Sequence, residues 1–422
     1  MCHELPSFFT EEYYNLTYIK INTINGIHIY VITSNTISLC KMLHHINIRN
    51  FRNLEHFETD FNQGITALIG KNGSGKSSLI EAIYFLSIGR SFRATHDRDT
   101  INKQIIGTGD FASIKANISI NQNLNEIQII LDLNNSNRLK KNCSYNGATL
   151  PLSKLIGNLK SVCFSVNDMN IIYGSPSIRR KYINVLNLQL DNQYVSELLV
   201  YSKIVESRNS LLKQIKNNFA SKDELEYWNN KMVESGTYLM ISRYKTINQL
   251  SALAESIYPK LFNNYHNGDI RYLCNLDPLN EFVLQNDKDQ IYNNFHNKLK
   301  QVELRDISLG KTTIGPHRDD LIINIDNNIA ENFASRGQAR LLVLGMKLAE
   351  CELIKKMNYT EPIILLDDAF SELDLDNQEY LCKFIFDYNQ CLITGFDFRV
   401  LENLNFPYNS LHLDQRELNI NG

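Results

Sequence analysis

The spacing of apolar residues changes along the chain, and the changes divide it into stretches of different character. From Met42, the run His44-Ile-Asn-Ile-Arg49-Asn-Phe51-Arg52 alternates apolar and polar side chains, which predicts an edge strand with one buried face. The run Gly64-Ile-Thr-Ala-Leu-Ile-Gly70 predicts a second strand that enters a glycine-rich turn, and Leu79-Ile-Glu-Ala-Ile-Tyr-Phe-Leu86 predicts the helix that follows it. Residues 112–164 hold short alternating strands, notably 113–120 and 126–133, joined by Asn-rich turns, and read as an antiparallel sheet. Between residues 177 and 304 the spacing becomes helical, as in Leu198, Tyr201, Ile204 and Val205, then Met232, Leu239 and Ile247. The last stretch predicts a helix over 336–356 and a continuous apolar strand, Ile363-Ile-Leu-Leu366, of the kind buried in parallel sheets. The expected fold is therefore α/β, with an N-terminal half at 42–176, a compact helical insertion lobe at 177–304 and a C-terminal half at 305–422. Residues 1–41 alternate around positions 27–32 but carry no recognisable chemistry.

Composition adds limits more than direction. With 422 residues, 43% hydrophobic and 21% charged, the chain can bury a sizeable core and form more than one lobe. A net charge of −3 and a pI near 6.4 remove any bulk electrostatic case for a nucleic-acid partner and leave room only for a local basic patch. Eight cysteines, Cys2, Cys40, Cys143, Cys163, Cys274, Cys351, Cys382 and Cys391, form no CxxC pair, which speaks against a zinc site and a disulfide framework and fits a reducing cytoplasm. No run approaches the roughly 20 apolar residues of a membrane span, so neither secretion nor insertion is expected.

The chemistry sits at the two ends of this pattern. Gly70-Lys71-Asn72-Gly73-Ser74-Gly75-Lys76-Ser77 satisfies GxxxxGK[ST], and it lies between an apolar strand and an amphipathic helix, the context that motif requires. Glycines there let backbone N–H groups converge on phosphates at a helix N-terminus while Lys76 reaches the β- and γ-phosphates. Ser77 is the expected Mg²⁺ ligand, and Ser78 extends the nucleotide-binding set. The run Ile363-Ile-Leu-Leu-Asp367-Asp368 supplies the partner motif, with Asp367 beside Mg²⁺ and Asp368 as the base that polarises an attacking water. Asp367 follows Lys76 by 291 positions, a separation that insertion-bearing ATPases of the ABC type use and ordinary P-loop GTPases do not.

Ser335-Arg-Gly337-Gln338, heading a helix, resembles the signature motif of ABC/SMC-type ATPases, and Ser371-Glu-Leu-Asp374 resembles their D-loop. In that class the signature acts in trans, so that two nucleotides are sandwiched in a two-fold dimer; alone, Ser335 reads as a helix N-cap. The fold expected from these motifs is an ABC/SMC-type P-loop ATPase head. A transporter subunit would show an LSGGQ-like signature and a histidine where Leu392-Ile-Thr394-Gly395 stands, and a structural SMC clamp would need long heptad segments that residues 177–304 cannot supply.

The order and wording of these motifs resemble the RecF family of bacterial DNA replication and repair proteins, from Met42 to the C-terminus. Supporting stretches are Ile48-Arg-Asn-Phe-Arg-Asn53, Gly89-Arg-Ser-Phe-Arg93, Gly174-Ser-Pro-Ser-Ile-Arg-Arg180, Arg208-Asn-Ser-Leu-Leu212 and Gly315-Pro-His-Arg-Asp-Asp-Leu321. The resemblance implies ATP-dependent dimerisation on double-stranded DNA, a preference for gaps or single-strand/duplex junctions, and weak DNA-stimulated hydrolysis. It also implies work with RecO and RecR in loading RecA, and a place in the SOS response to damage. By the same resemblance Arg52 and Arg93 are candidates near nucleotide or dimer interface, each with an ordinary salt bridge as the alternative. Val166-Asn167-Asp168 departs from the family's usual Pro-Glu-Asp, and Asn184 replaces a usual aspartate. Residues 1–41 form an N-terminal extension with no counterpart in the family, which suggests an upstream start codon chosen in error. Candidate DNA contacts are the basic runs 138–141 and 179–181, each equally readable as a solvated loop. A scaffold of the same fold with negligible turnover is the alternative function, since an aspartate at 368 is shorter than a catalytic glutamate.

Overall fold

A computed structural model describes residues 41–413 apart from 121–122, 134–137, 264, 277–286, 371–372 and 396–398, together with the backbone of two N-terminal strands. Those strands, β1 (Tyr18–Ile24) and β2 (Ile27–Thr33), pair antiparallel and belong to a unit of their own, Met1–Leu39, separate from the unit that carries the chemistry.

The larger unit is built on a five-stranded parallel sheet in the order β10 (Ser161–Ser165), β14 (Ile363–Asp367), β15 (Gln390–Ile393), β5 (Gly64–Ile69) and β16 (Tyr408–His412). Every residue of β14 is buried, as a continuous apolar run between two parallel neighbours requires. Alternate side chains serve two cores. Cys163, Ile363, Leu365 and Leu392 face α1 (Lys76–Ile88), whereas Phe164, Ile364, Leu366 and Ile393 join the helical side of the molecule. Helix α1 is apolar nearly all round because it is clamped twice, by this sheet and by a six-stranded antiparallel sheet on its other side.

That second sheet runs β4 (Leu54–Asp60), β3 (Met42–Phe51), β6 (Ala112–Ile120), β7 (Asn123–Leu133), β8 (Leu139–Tyr145), β9 (Ala148–Leu150). Two expectations change here. The strand from Met42 is interior, paired on both sides by β4 and β6, because alternation reports one buried face and says nothing about edges. Residues 161–165 leave the antiparallel sheet for the parallel one, pairing Ser161 with Ile363 through Ser165 with Asp367.

The helical stretch comprises α2 (Pro176–Leu190), α3 (Asn192–Lys216), α4 (Leu225–Leu261), α5 (Lys288–Gln301) and α6 (Glu303–Leu309). It is not wholly helical. Strand β11 (Gly268–Leu273) pairs antiparallel with β12 (Asp320–Ile325), which in turn meets β13 (Asn328–Ile329), so this small sheet crosses the expected boundary at 304. Buried polar staples fix it. Arg208 of α3 is fully buried and donates to Asp306 at 2.7 Å, Thr312 at 2.8 Å and Asn229 at 2.9 Å. Arg243 of α4 donates to Asn184 and to the Tyr194 hydroxyl, both at 2.9 Å, and to the Pro316 carbonyl at 2.6 Å. Against α4 lies α7 (Arg336–Asn358), the long helix that begins at the expected signature.

Candidate nucleotide site

Parallel strands leave their C-terminal ends on one edge of the sheet, and in such folds ligands gather there. Strand β5 ends in the loop 70–75 and β14 ends in Asp367, with β15 between them leading into Thr394. A cleft of about 600 Å³, in the range of small-molecule sites, opens on this edge; its lining includes Asn72, Lys76, Ser77, Arg93, Asp368 and Thr394.

The loop is held in shape from within. Gly75 caps α1 in the left-handed region (φ 107°) with no side-chain cap, so the first N–H groups of α1 are directed at the cleft. The Lys76 ammonium donates to the Gly70 carbonyl at 2.5 Å and the Lys71 carbonyl at 2.9 Å. Asn53, in the turn after β3, donates to the Gly73 carbonyl at 2.7 Å and accepts from the Ser78 hydroxyl at 2.6 Å. Ser78 thus borders the cleft with its hydroxyl committed to bracing. Gly70, Gly73 and Gly75 line the cleft, whereas Lys71 and Ser74 belong to the loop without lining it. The Ser74 hydroxyl is buried without a hydrogen-bond partner among the described residues.

Residues 290 positions apart meet at the sheet edge: the Ser77 hydroxyl donates to Asp367 Oδ1 at 2.6 Å. Thr394 completes the arrangement. Its hydroxyl lies 3.1 Å from Asp367 Oδ1 and accepts the Asp368 backbone N–H at 3.1 Å. Asp368 takes a left-handed backbone (φ 57°), which turns it out of the strand into the cleft. Its carboxylate lies so close to Gly395 that a Cβ there would stand 1.7 Å from Oδ1, and Gly395 is itself left-handed at φ 63°. An alcohol and a buried carboxylate form a hard oxygen set that suits Mg²⁺. No group of three or more His, Cys, Asp or Glu able to hold a metal occurs among the described residues, so a metal here would depend on nucleotide phosphates and water for its remaining ligands.

Behind Asp368 lies a small pocket shared by the turn after β10 and by α7. Asp168, in the segment that departs from the family pattern, accepts the Ser165 N–H at 2.7 Å and is half-buried beside Lys347 of α7. Lys347 is itself buried, paired with Glu350 at 2.9 Å. Burial raises the Asp168 carboxyl to about 6 in spite of the nearby ammonium. This exceeds the roughly 3.9 of an unfolded aspartate, so the fold binds the proton more tightly. Stability contributed at low pH is then lost as pH rises from about 4 through about 6, by on the order of 3 kcal/mol. Asp168→Asn keeps an oxygen for Ser165 and is expected to remove that slope from denaturant unfolding measured across this range; parallel slopes in the two proteins would contradict the assignment.

The signature residues stand apart from this cleft. Ser335 and Gln338 form a capping box on α7: the Ser335 hydroxyl accepts the Gln338 N–H at 3.2 Å and Gln338 Oε1 accepts the Ser335 N–H at 2.8 Å. Ser335 and Gly337 are exposed, and none of Ser335, Gly337 or Gln338 lines the chain's own cleft. Beside them Phe333 is 67% exposed. Of the D-loop stretch, residues 371–372 lie outside the described residues, and Asp374 caps α8 (Leu375–Phe386) by accepting the Asn377 N–H at 2.9 Å.

The remaining basic candidates separate. Arg93 is exposed and lines the cleft. Arg52 instead makes a bidentate pair with Glu81 of α1, at 2.7 and 2.9 Å, and Glu81 is fully buried. In the run 138–141, Lys141 is turned inward to Asp97 at 2.6 Å and the Gly89 carbonyl at 2.7 Å. In the run 179–181, Arg179 is buried in a bidentate pair with Asp320 at 2.7 and 2.9 Å. Neither run presents a continuous basic face. Asn53 and Thr394 had no assigned role because their partners lie far away in sequence.

A family model described as "RecF/RecN/SMC N terminal domain" matches residues 42–417. The DNA replication and repair protein RecF of Clostridium novyi is 32% identical over 351 residues, 83% of this chain and 91% of the relative. That of Acetivibrio thermocellus is 34% identical over 369 residues, 86% of this chain and 95% of the relative. Among solved structures, that of the recombination mediator protein RecF-ATPrS in the RecFOR pathway superposes with a TM-score of 0.78 at 28% identity, covering 89% of this chain and 98% of the other.

Proposed function

The chain belongs to the RecF family of DNA replication and repair proteins, and from that premise we propose that it binds ATP in the β5–α1 cleft, dimerises on it and so holds double-stranded DNA. In this reading it works at gaps or single-strand/duplex junctions with RecO and RecR in loading RecA, in the cytoplasm. The observation that carries the reading is that Lys76, Ser77 and Asp368 line one cleft, with Asp367 bonded to Ser77 at its edge, while Ser335, Gly337 and Gln338 do not line it.

In the proposed cycle the α1 N-terminus and Lys76 hold the phosphates, and Ser77 and Asp367 hold Mg²⁺. When bound, Mg²⁺ neutralises charge on the β- and γ-phosphates. Asp368 orients water and takes up its proton, and Thr394 fixes the backbone of that residue. Ser335 of the partner subunit closes the site with its helix N-terminus. Hydrolysis is expected to be weak and DNA-stimulated.

The scaffold alternative keeps one specific support: the Asp368 carboxylate is short and packed on Gly395. It predicts stoichiometric ATP binding with no phosphate release even on DNA. The clamp is tested by light-scattering mass of the full chain with ATP and Mg²⁺, with and without gapped duplex. A monomer-to-dimer shift with ATP that ADP does not produce is expected; a monomer under every condition overturns the dimer.

A further inference from the structure

Helix α2 carries three consecutive cations, Arg179, Arg180 and Lys181, that do different things. Arg179 is spent inside, on Asp320. Its two neighbours are not. Arg180 Nη1 donates to the Asp319 carbonyl at 2.9 Å, which brings it to the foot of Arg318. Lys181 Nζ donates to the Ser91 carbonyl at 3.3 Å, which brings it to the foot of Arg90. Arg318 in turn donates to the Thr312 carbonyl at 3.0 Å. The acceptors of these three side chains are backbone carbonyls, which position a cation without neutralising it and leave most of its donors unused.

The carboxylates around them are already engaged: Asp97 with Lys141, Asp319 with Arg243, Asp320 with Arg179. None of Arg90, Lys181, Arg180 or Arg318 is in an ion pair with a described residue, and Arg90, Lys181 and Arg318 are exposed. Burial first, and then the positive charges of Arg243 and Arg318, weaken proton binding at Arg180 against the pull of Asp320. Like charges held this close oppose folding, in a chain whose total charge is −3.

We propose that Arg90, Lys181, Arg180 and Arg318 form a track for the phosphate backbone of duplex DNA, an inference that rests on the DNA-binding reading above and gives it a surface. Phosphate tracking needs cations without base-reading groups. Single-strand binding adds aromatic platforms, and Phe92, the aromatic of this turn, is instead half-buried edge-on against Tyr84. The turn that begins with Arg90 ends with Arg93 in the nucleotide cleft, so the track and the nucleotide share one short segment.

The test uses the full chain with ATP and Mg²⁺, a fluorescent duplex and a salt titration. R90Q/K181Q/R318Q is compared with K216Q/K260Q/K356Q, which removes the same charge from exposed sites elsewhere. Each lost phosphate contact lowers the slope of log affinity against log salt by about 0.9. The track variant is therefore expected to lose roughly 2–3 of slope per protomer and roughly tenfold in affinity at moderate salt, with ATP binding unchanged and the control triple like wild type. An unchanged slope, or an equal loss in the control triple, overturns the track while wild-type binding leaves the DNA reading standing. Absence of wild-type binding to duplex overturns the DNA reading and the track with it.

Discussion

Lys76→Arg is expected to abolish ATP-driven dimerisation and, with it, ATP-dependent retention of duplex DNA, while the protein remains folded. The Lys76 ammonium reaches two loop carbonyls at 2.5 and 2.9 Å, so the site is shaped for a compact charge. A guanidinium keeps the charge but is planar and wider, and it presents its donors as a fork. It can satisfy one carbonyl only by displacing the loop that Asn53 braces at Gly73. A lost preorganised contact to developing phosphate charge costs about 10²–10³ in turnover, and the cost of a distorted loop adds to it. The fold should tolerate the change, because the Lys76 side chain is half-exposed at the cleft and takes no part in either core. Thermal unfolding by circular dichroism, light-scattering mass and DNA retention decide the matter. A variant that melts like wild type and still dimerises on ATP would remove Lys76 from the proposed mechanism.

What sequence could reveal followed from how local each feature is. The glycine-rich loop, the strand before it and the helix after it form one contiguous segment, and their spacing alone foretells the geometry found at Gly75 and Lys76. The expected helix from 336 begins there because Ser335 and Gln338 form a capping box three residues apart. Strand β14 was legible because burial on both faces demands an unbroken apolar run.

The features that escaped notice depend on pairings across the chain. Nothing near Met42 distinguishes an interior strand from an edge, since β4 follows it directly while its second neighbour, β6, comes only from Ala112 onward. Residues 161–165 are as apolar as an antiparallel core strand and become parallel only through β14, two hundred positions later. Thr394 acquires meaning only from Asp367 and Asp368, and Asn53 only from Gly73 and Ser78. Basic runs divide for the same reason: Arg179 and Lys141 sit among cations in sequence but opposite carboxylates in space, whereas Arg180 and Lys181 meet backbone carbonyls. The surface proposed for DNA is assembled from three separate segments, which no window along the chain would group.

Ser335→Arg is expected to prevent ATP-driven dimerisation completely while leaving ATP binding by the monomer close to wild type. The side chain lies outside the chain's own cleft, so a large cation there cannot disturb the Lys76 loop of the same subunit. It would instead occupy the exposed helix terminus, which in the proposed dimer meets the γ-phosphate of the other subunit. The substitution also removes the N-cap, at about 1 kcal/mol, a loss that Ser335→Asn avoids because asparagine caps equally well. Comparing the two separates loss of the cap from obstruction: the asparagine variant should dimerise at least in part, and the arginine variant not at all. Mixing gives the sharper result. A Lys76→Arg chain carries an intact signature and a Ser335→Arg chain an intact loop, so together they can form one complete composite site, although neither can form any with itself. Dimers that appear with ATP only in the mixture would fit a signature that acts in trans. If Ser335→Arg dimerises alone, or if it abolishes ATP binding by the monomer, the signature does not act in trans and the clamp must be assembled in some other way.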